Sequence, residues 1–294
     1  MTSVSGPDLV IEASRHGVIG SFPTHNAATV DDLDGWLRRI SEELTPSCAP
    51  VAPNLVVHRS NKRRDHDLDC LIRHRVELVI TSVGSPTPVV GPLHEVGCRV
   101  FADVSSLAHV ERALDAGVDG LVLLTAGAGG QTGWANPFAF VRAVRDRFDG
   151  PIVLAGGISD GRSMLAAEVL GADLVYLGTR FIATNESMAD EDYRSALVAA
   201  TLDDVQLSTR VGGIPASLLS SWVDAHGENA ADESNGFEQD RLIRNRTAWS
   251  AGHSVSGVHT ITSVAELVET IARQYGDARD ALRLQLSPAT PNHS

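Results

Sequence analysis

The chain has few of the features that mark several large classes of protein. Its three cysteines, Cys48, Cys70 and Cys98, are widely spaced and form no C-x-x-C pair, which argues against a disulfide scaffold or a zinc site. No apolar run approaches the roughly 18 residues of a membrane span. The first residues, "MTSVSGPDLV", lack the basic flank and apolar core of a signal peptide. These absences predict a cytoplasmic protein with no membrane partner and no bound metal.

Positive charge and aromatic side chains are also scarce. The formal net charge is −13, and the one basic cluster, "HRSNKRR", is best interpreted as a solvated turn. A nucleic-acid partner is therefore not expected, because binding phosphate backbones needs a positive surface. Aromatic residues make up 5% of the chain and hydrophobic residues 43%, which predicts a core of Val, Leu, Ala and Ile.

What the sequence does contain, between residues 50 and 182, is a regular alternation of strand and helix patterns. The strand patterns are "PNLVVH", "ELVITS", "RVFADV", "DGLVLLTA", "PIVLAGG" and "ADLVYLG". Nearly continuous apolar runs of this kind indicate parallel strands that are buried on both faces by helices. Repeated βα units form either an open doubly wound sheet or a closed (β/α)8 barrel. The chain length and the glycine-rich loops after several different strands favour an α/β fold of the TIM-barrel type.

The start of this barrel is incomplete. "LVIEASRHGVIGSF" predicts a helix followed by a short strand, which brings the count to seven strands. A barrel needs one further strand before that helix, and residues 1–6 are too short and too polar to supply it. We therefore expect the first strand to be missing or vestigial, or the chain start to have been set too far downstream.

The sequence predicts a division into three regions. Residues 1–200 and 261–286 are expected to form the barrel. Residues 201–260 are polar and rich in glycine, which is typical of a lid over the catalytic face of a barrel. Residues 287–294 are expected to be a flexible tail.

Glycines cluster directly after three of the predicted strands, in "LLTAGAGGQTGWANP", "VLAGGISDG" and "VYLGTRF". The loops after the last two strands of a barrel commonly form a phosphate site, and glycine lets backbone N–H groups approach a ligand. These loops therefore predict a phosphate-bearing ligand; the alternative is that the glycines only make tight turns. The chain has no G-x-x-x-x-G-K-[ST] motif, which excludes a P-loop.

The segments "NLVVHRSN", "GAGGQTGWANPFAFVRAVR", "LAGGISDGRSMLAAEVLGADLVYLGTRFIAT" and "WSAGHSVSGV" resemble the nitronate monooxygenases, also called 2-nitropropane dioxygenases. The flavin-dependent enoyl-ACP reductases are close relatives of that family. The resemblance implies a (β/α)8 barrel that binds FMN without a covalent bond. It implies that Gly156, Gly157, Gly178 and Thr179 hold the FMN phosphate.

The resemblance also implies contacts to the rest of the cofactor. Asn54 is expected to hydrogen-bond the flavin ring, and Gly130 and Gly133 are expected to line its ribityl side. Asp103 and Leu177 complete the predicted cofactor-binding set. Asp103 lies at a strand end, where a catalytic role, a flavin contact or a helix-capping role is possible. Trp134 is expected either to stack near the pocket or to pack its loop against a helix.

The clearest departure from the family is Gln131, which stands in "GGQTG" where the family has G-G-H-x-G. The family's histidine is the expected base that removes a proton α to the nitro group. A glutamine has no group that titrates near neutral pH, but it can still donate and accept hydrogen bonds. Gln131 is therefore predicted to orient an anionic substrate, or to hydrogen-bond a carbonyl or a flavin oxygen. His25 is a candidate replacement base; the alternative is a hydrogen-bonded histidine with no chemical role. His58 is expected to be part of the scaffold, and His253 and His259 to lie in solvated loops.

These residues are compatible with three functions. The first is an FMN-dependent monooxygenase that oxidises a nitronate or a similar carbanion-like small molecule with O2. The second is an FMN-dependent reductase that uses NAD(P)H to reduce an enone, a quinone or an enoyl substrate. The third is a barrel that has lost catalysis and serves as a binding or assembly subunit. A homodimer is compatible with all three.

Overall fold

The structure is a computed structural model that describes residues 1–226 and 236–286. Twelve α-helices and nine β-strands lie in these ranges. The helices are α1 (Pro7–Arg15), α2 (Val30–Glu43), α3 (Arg64–Arg73), α4 (Thr87–Glu95), α5 (Leu107–Asp115), α6 (Pro137–Arg145), α7 (Gly161–Leu170), α8 (Thr179–Ile182), α9 (Glu191–Ala199), α10 (Ser220–Ala225), α11 (Gln239–Arg244) and α12 (Val264–Leu286). The strands are β1 (Asn54–Val56), β2 (Leu78–Ser82), β3 (Arg99–Val104), β4 (Gly120–Leu124), β5 (Gly130–Gln131), β6 (Ile152–Ala155), β7 (Leu174–Tyr176), β8 (Val205–Ser208) and β9 (Ala216–Leu219).

Six of these strands form one parallel sheet in the order β1-β2-β3-β4-β6-β7. A further extended segment, residues 18–23, runs parallel to β1, with bridges from Gly20 to Val51 and from Pro23 to Asn54. The seven predicted strands are thus confirmed, six as sheet strands and one as this bridged segment. With the helices that follow the strands, the sheet has the curved arrangement of a TIM barrel, as predicted.

Local sequence explains where the outer helices begin and end. The side chain of Asn136 accepts a hydrogen bond from the amide of Phe138 at the start of α6, and Pro137 occupies the first turn, where its missing N–H costs nothing. At the start of α7, Asp160 caps the amide of Ser163. α7 ends at Gly171, whose φ of +109° is a left-handed conformation that glycine adopts without strain.

Within the described ranges, the barrel is not closed by a strand. Among the residues that the structure describes, no strand pairs with the outer edge of β7 or with the free edge of the 18–23 segment. The two edges are joined instead by side chains: the Ser21 hydroxyl lies 3.1 Å from the Tyr176 hydroxyl, at hydrogen-bonding distance. The absence of a first strand, expected from the sequence, is therefore found in the described part of the chain.

The region predicted as a lid contains regular structure. β9 pairs antiparallel with β8 on one side and with the two-residue strand β5 on the other, which forms a small three-stranded sheet. α10 and α11 follow this sheet in the chain. Residues 227–235 of the predicted lid and the predicted tail, 287–294, lie outside the described residues. The division into barrel and lid stays a prediction.

The long helix α12 comes next in the chain, and the sequence predicted it as a terminal amphipathic helix. It packs against α7 and α1, on the outside of the sheet's open side. Its buried residues are Val264, Leu267 and Ile271, which recur at helical spacing and face a small apolar cluster beneath it. None of the described helices combines the length and the apolar character that crossing a membrane requires.

Candidate functional site

A cavity opens at the carboxyl ends of the parallel strands, beneath the small antiparallel sheet. This is the end of a barrel at which active sites are found, because the loops after the strands gather there. The structure brings nine of the eleven predicted site residues to the wall of this one cavity. They are His25, Asn54, Asp103, Gly130, Gln131, Gly156, Gly157, Gly178 and Thr179.

The two glycine turns after β6 and β7 lie side by side. The register pairs Ala155 with Tyr176, so Gly157 and Gly178 each follow a paired residue by two positions. Gly157 has a φ of +72°, and a side chain added there would meet nothing within 4 Å. Its neighbour Gly156 is required by packing as well, because a Cβ there would lie 2.3 Å from Oγ1 of Thr125. The backbone therefore reaches the cavity surface at this point with no side chain in front of it.

Thr179 connects this turn to Gly252, which lies within the region predicted as the lid. Its side chain is buried, and its Oγ1 accepts a hydrogen bond of 3.0 Å from the amide of Gly252. The hydroxyl proton of Thr179 stays available for a ligand in the cavity, because the hydroxyl serves only as an acceptor in this bond.

A chain of polar side chains crosses the ends of the first three strands. Ser82 donates from its hydroxyl to Oδ1 of Asn54 across 2.7 Å, and Asn54 donates from Nδ2 to Oδ2 of Asp103 across 3.2 Å. The other carboxyl oxygen of Asp103 is buried without a hydrogen-bond partner. Burial raises the pKa of Asp103 to about 7, against the opposing effects of the Asn54 hydrogen bond and of the charge on the chain's amino group.

His25 lies at the same end of the barrel, in a short 3-10 turn after the 18–23 segment. Its Nε2 lies 3.1 Å from the hydroxyl of Thr2, and its Nδ1 is buried without a partner. Burial, together with the positive charges of the amino terminus, Arg63 and Arg246, lowers the pKa of His25 to about 3. His25 is therefore a neutral imidazole and a weak base at neutral pH.

Gln131 is held by the lid rather than by the barrel. It forms half of β5 and pairs with Ala216 of β9. Its side-chain amide lies near Gly212, where an added Cβ would approach Nε2 to 4.0 Å. Its side chain has no titratable group, as the sequence required.

Three predictions about the site's surroundings differ from the structure. Gly133 does not line the cavity, because a Cβ there would lie 2.1 Å from the carbonyl oxygen of Leu124 and the turn is packed against β4. The side chain of Leu177 packs among apolar residues at the open side of the barrel instead. Trp134 neither stacks near the pocket nor packs its loop, since 85% of its surface is exposed.

The histidines that were expected outside the site are indeed outside it. His58 accepts at Nδ1 from the amide of Ser60, 3.2 Å away, and its ring packs edge-on against Phe237. His253 and His259 are exposed, and neither lines the cavity.

Sequence reasoning missed several residues of the cavity wall. Met1 and Thr2 lie in it, and burial lowers the pKa of the chain's amino group. Ser21 and Tyr176 line it from the open side of the barrel. Arg246 brings positive charge to it. Of these residues, only Tyr176 could have been predicted from the sequence, because its position just before "LGTRF" places it at a strand end.

By its fold and by the position of this cavity, the protein is a TIM-barrel protein with its candidate site at the carboxyl ends of the strands. Its sequence matches the nitronate monooxygenase family over residues 41–274. The chain belongs to that family.

Two individual relatives are similar to the chain over more than two thirds of its length. The chain is 28% identical over 218 residues, 74% of its length, to (3aS,4S,5R,7aS)-5-hydroxy-7a-methyl-1-oxo-octahydro-1H-indene-4-carboxyl-CoA dehydrogenase of Rhodococcus jostii. It is 27% identical over 219 residues, 69% of its length, to nitronate monooxygenase of Paraburkholderia phytofirmans. The chain spans 60% of the length of each of these two relatives.

A solved structure shows the same fold over nearly the whole chain. FabK from Thermotoga maritima superposes with a TM-score of 0.83 at 25% identity. The superposition covers 97% of this chain and 94% of FabK.

Proposed function

We propose that this chain is an FMN-dependent oxidoreductase that oxidises a nitronate, or a similar carbanion-like small molecule, with O2. The observation that carries the proposal is the pair of adjacent glycine turns at Gly157 and Gly178, which line one cavity. Gly157 presents bare backbone to it, and the Met1 side chain lies 3.7 Å from where a Cβ of Gly178 would be. Family membership supports the class of reaction.

The residues present fit FMN at both ends of the cavity. Backbone amides of Gly156, Gly157 and Gly178, with the hydroxyl of Thr179, suit a phosphate, because amide and hydroxyl donors can surround an anion without a cation. At the strand ends, Asn54 keeps one N–H and Asp103 keeps one buried oxygen without a partner, which suits the polar edge of a planar ring. When bound, FMN supplies the redox chemistry: it accepts an electron pair from the substrate and O2 reoxidises it.

The chain's own residues then have distinct tasks. Gln131 donates from its side-chain amide to an oxygen of the anionic substrate, and so orients it. Asp103, with a pKa near neutrality, can accept and hold a proton from a substrate that arrives uncharged. His25 cannot do this well, because its lowered pKa makes its conjugate acid too strong. The proposed base is therefore Asp103 rather than His25.

The test compares FMN with riboflavin, which has the same ring without the phosphate. Titration of the protein followed by flavin absorbance is expected to give an affinity for FMN at least about 100-fold higher than for riboflavin, because only FMN reaches the glycine turns. Equal affinities for FMN and riboflavin would show that the glycine turns do not bind the phosphate, and would contradict the proposal. A protein that takes up neither flavin would favour the non-catalytic alternative.

A second candidate is the FMN-dependent reductase that draws electrons from NAD(P)H. The observation that favours it is Gln131 itself, because an amide donor suits a substrate carbonyl and needs no proton acceptor. Anaerobic mixing with NADH or NADPH separates the two functions. Rapid loss of the flavin's visible absorbance supports the reductase, and a flavin that stays oxidised until a nitronate is added supports the oxidase-type reaction.

A further inference from the structure

Three side chains of the types that bind zinc meet on the outside of the barrel, between helices α2 and α3. They are Asp34 of α2, Cys70 of α3 and His74, which directly follows α3. One ligand atom of each, a carboxylate oxygen, the sulfur and a ring nitrogen, lies within 4.8 Å of the other two. Among the residues that the structure describes, no second group of three such side chains lies as close together. None of the three lines the cavity of the candidate functional site.

The end of α3 sets two of these side chains on one face. The amide of His74 donates to the carbonyl of Cys70 across 3.1 Å, so the helical turn continues to His74 and the two residues share a side four positions apart. That side faces α2, where Nε2 of His74 lies 2.9 Å from Oδ1 of Asp34. These two residues are 40 positions apart in the chain. The expectation of no bound metal came from local cysteine spacing, which does not test a site built from two helices.

The donor set selects the metal. Thiolate and imidazole ligands favour zinc, and a carboxylate is a common further ligand, whereas Mg²⁺ and Ca²⁺ prefer oxygen ligands. Tetrahedral zinc, with bonds of about 2.0 Å to nitrogen and oxygen and about 2.3 Å to sulfur, holds its ligand atoms about 3.3 to 3.6 Å apart. Three atoms that already lie within 4.8 Å of one another can reach these separations by small side-chain rotations.

The burial of the three residues leaves a path for the ion. Cys70 is a buried, free cysteine, whereas the side chains of Asp34 and His74 are 25% and 19% exposed. An ion can therefore enter from the surface, between the carboxylate and the imidazole, and reach the sulfur at the inner end. The thiol proton leaves to solvent on binding, and the thiolate and the carboxylate together balance the two positive charges of the ion.

Two arginines compete with a metal for this site. Arg38 donates to Oδ2 of Asp34 across 2.6 Å, and Arg73 donates to Oδ1 across 3.3 Å and also approaches the thiol of Cys70. The arginine side chains are 64% and 58% exposed, and ion pairs of such exposed groups contribute little to stability. Both guanidinium groups can therefore turn into solvent when an ion binds the carboxylate.

We propose that Asp34, Cys70 and His74 bind one zinc ion, with water as the fourth ligand, and that the ion fastens α2 to α3. The 18–23 segment precedes α2 in the chain, and β1 precedes α3. Within the described ranges, this segment has a strand partner on one edge alone, where two bridges join it to the chain at and before β1. A bond between the two helices thus holds the edge of the barrel from its outer layer.

The first experiment measures the zinc affinity of the full chain by competition with a chromogenic chelator. One zinc ion per chain is expected to bind with a Kd at or below about 10 μM. Cys70→Ser keeps the size of the side chain but removes the thiolate, and should weaken binding at least about 100-fold. Cys98→Ser is the matched control, because Cys98 is also a buried free thiol but lies in no such group, and its affinity should not change. Weaker binding by the parent chain, or equal affinities of the two variants, would overturn the proposal.

A second pair of variants keeps the test valid if Cys70→Ser does not fold. His74→Gln can still donate to Asp34 but offers no imidazole, and should weaken zinc binding at least about tenfold. His94→Gln is its control, because Nε2 of His94 also lies 2.9 Å from an aspartate oxygen, that of Asp119, but without a cysteine in the group. Zinc affinity that falls equally in both variants, or in neither, would contradict the assignment.

Cobalt in place of zinc reports directly on the sulfur ligand. The spectrum of the protein without the metal is subtracted from the spectrum with it, which removes any contribution from a bound flavin. A near-ultraviolet charge-transfer band from thiolate to cobalt is expected in the parent chain and in Cys98→Ser, and should be absent from Cys70→Ser. Cobalt that binds the parent chain without this band would lie on surface carboxylates and imidazoles, and the proposal would fail.

Thermal unfolding tests whether the ion fastens the two helices. Zinc at about 100 times its Kd should raise the midpoint of the parent chain and of Cys98→Ser by about 5 °C, because an ion that binds the folded state alone stabilises it. The midpoint of Cys70→Ser should not respond to zinc. No shift in the parent chain, or the same shift in all three proteins, would show that zinc does not join α2 to α3.

Discussion

Asn54 and Asp103 are joined by a hydrogen bond of 3.2 Å, although one lies on β1 and the other on β3. The bond spans the strand between them at the carboxyl end of the sheet, where Ser82 of that middle strand also binds Asn54. It leaves one carboxyl oxygen buried and without a partner. Burial of this carboxyl group raises its pKa, so Asp103 holds its proton at pH values where an exposed aspartate has lost it.

The first prediction concerns stability and pH. The pKa of Asp103 is raised to about 7, above the ordinary value of 3.8, so the folded state binds a proton that the unfolded state has released. The free energy of unfolding should therefore fall as pH rises from about 4 to about 7, by up to about 4 kcal/mol for a shift of about three pKa units. Urea unfolding of Asp103→Asn should lack this decline. If the free energy of unfolding varies with pH in the same way in the parent protein and in Asp103→Asn, the prediction is wrong.

The second prediction concerns catalysis by the same residue. With a neutral nitroalkane as substrate, kcat/KM should rise with pH to a plateau above about pH 7, because only the ionised carboxylate can accept the proton. With a preformed nitronate as substrate, kcat/KM should not change with pH. Oxygen consumption measures both. Asp103→Asn should lose about 100-fold on the neutral substrate and much less on the nitronate; equal losses on both would assign Asp103 a binding role instead.

The third prediction concerns His25. Because its pKa is lowered to about 3, the imidazole is neutral throughout the range from about pH 5 to about pH 8 and contributes hydrogen bonds rather than a proton site. His25→Gln keeps a donor and an acceptor and should retain kcat/KM within about threefold, with an unchanged pH profile. A loss of 100-fold or more, of the order expected for a general base, would show that His25 performs that role.

The fourth prediction concerns Gln131. Gln131→His introduces a group that titrates near neutrality at the cavity wall, and kcat/KM for a neutral nitroalkane should rise about 100-fold. Gln131→Leu is the matched control: it keeps the bulk, removes the hydrogen bonds, and should lower activity on nitronate as well. No gain with histidine would show that the cavity differs from the family's by more than this residue.

The fifth prediction tests the phosphate site through two glycines of the same geometry. Gly157 and Gly117 have φ of +72° and +82°, and an added Cβ at either meets nothing within 4 Å. Alanine at each position should therefore cost similar backbone strain, about 1 kcal/mol. Only Gly157 lines the cavity, so Gly157→Ala should weaken FMN binding at least about tenfold. Similar FMN affinity in the two variants would show that the turn at Gly157 does not contact the cofactor.

The barrel and nine residues of the cavity wall could be predicted because they depend on local patterns. Apolar runs marked each strand, and side chains at strand ends, such as Asn54 and Asp103, meet at one end of a parallel sheet whatever the details of packing. Gly157 and Gly178 were found for the same reason, since each follows its strand directly.

The remaining features depend on contacts between distant segments, which no local pattern encodes. The side-chain hydrogen bond between Ser21 and Tyr176 joins residues 155 positions apart. The pairing of Gln131 with Ala216 joins a barrel loop to the lid. The family resemblance implied that Gly133 lines the flavin, but the packing of its turn against the Leu124 carbonyl is a property of the folded chain.

The attachment of Gln131 to β9 has a consequence for the order of events. The barrel supplies the floor of the cavity, whereas Gln131, the residue proposed to orient the substrate, belongs to the small antiparallel sheet. Under the proposed function, a displacement of that sheet that admits FMN would also carry this amide away from the strand ends. Cofactor loading and substrate alignment would then be successive stages.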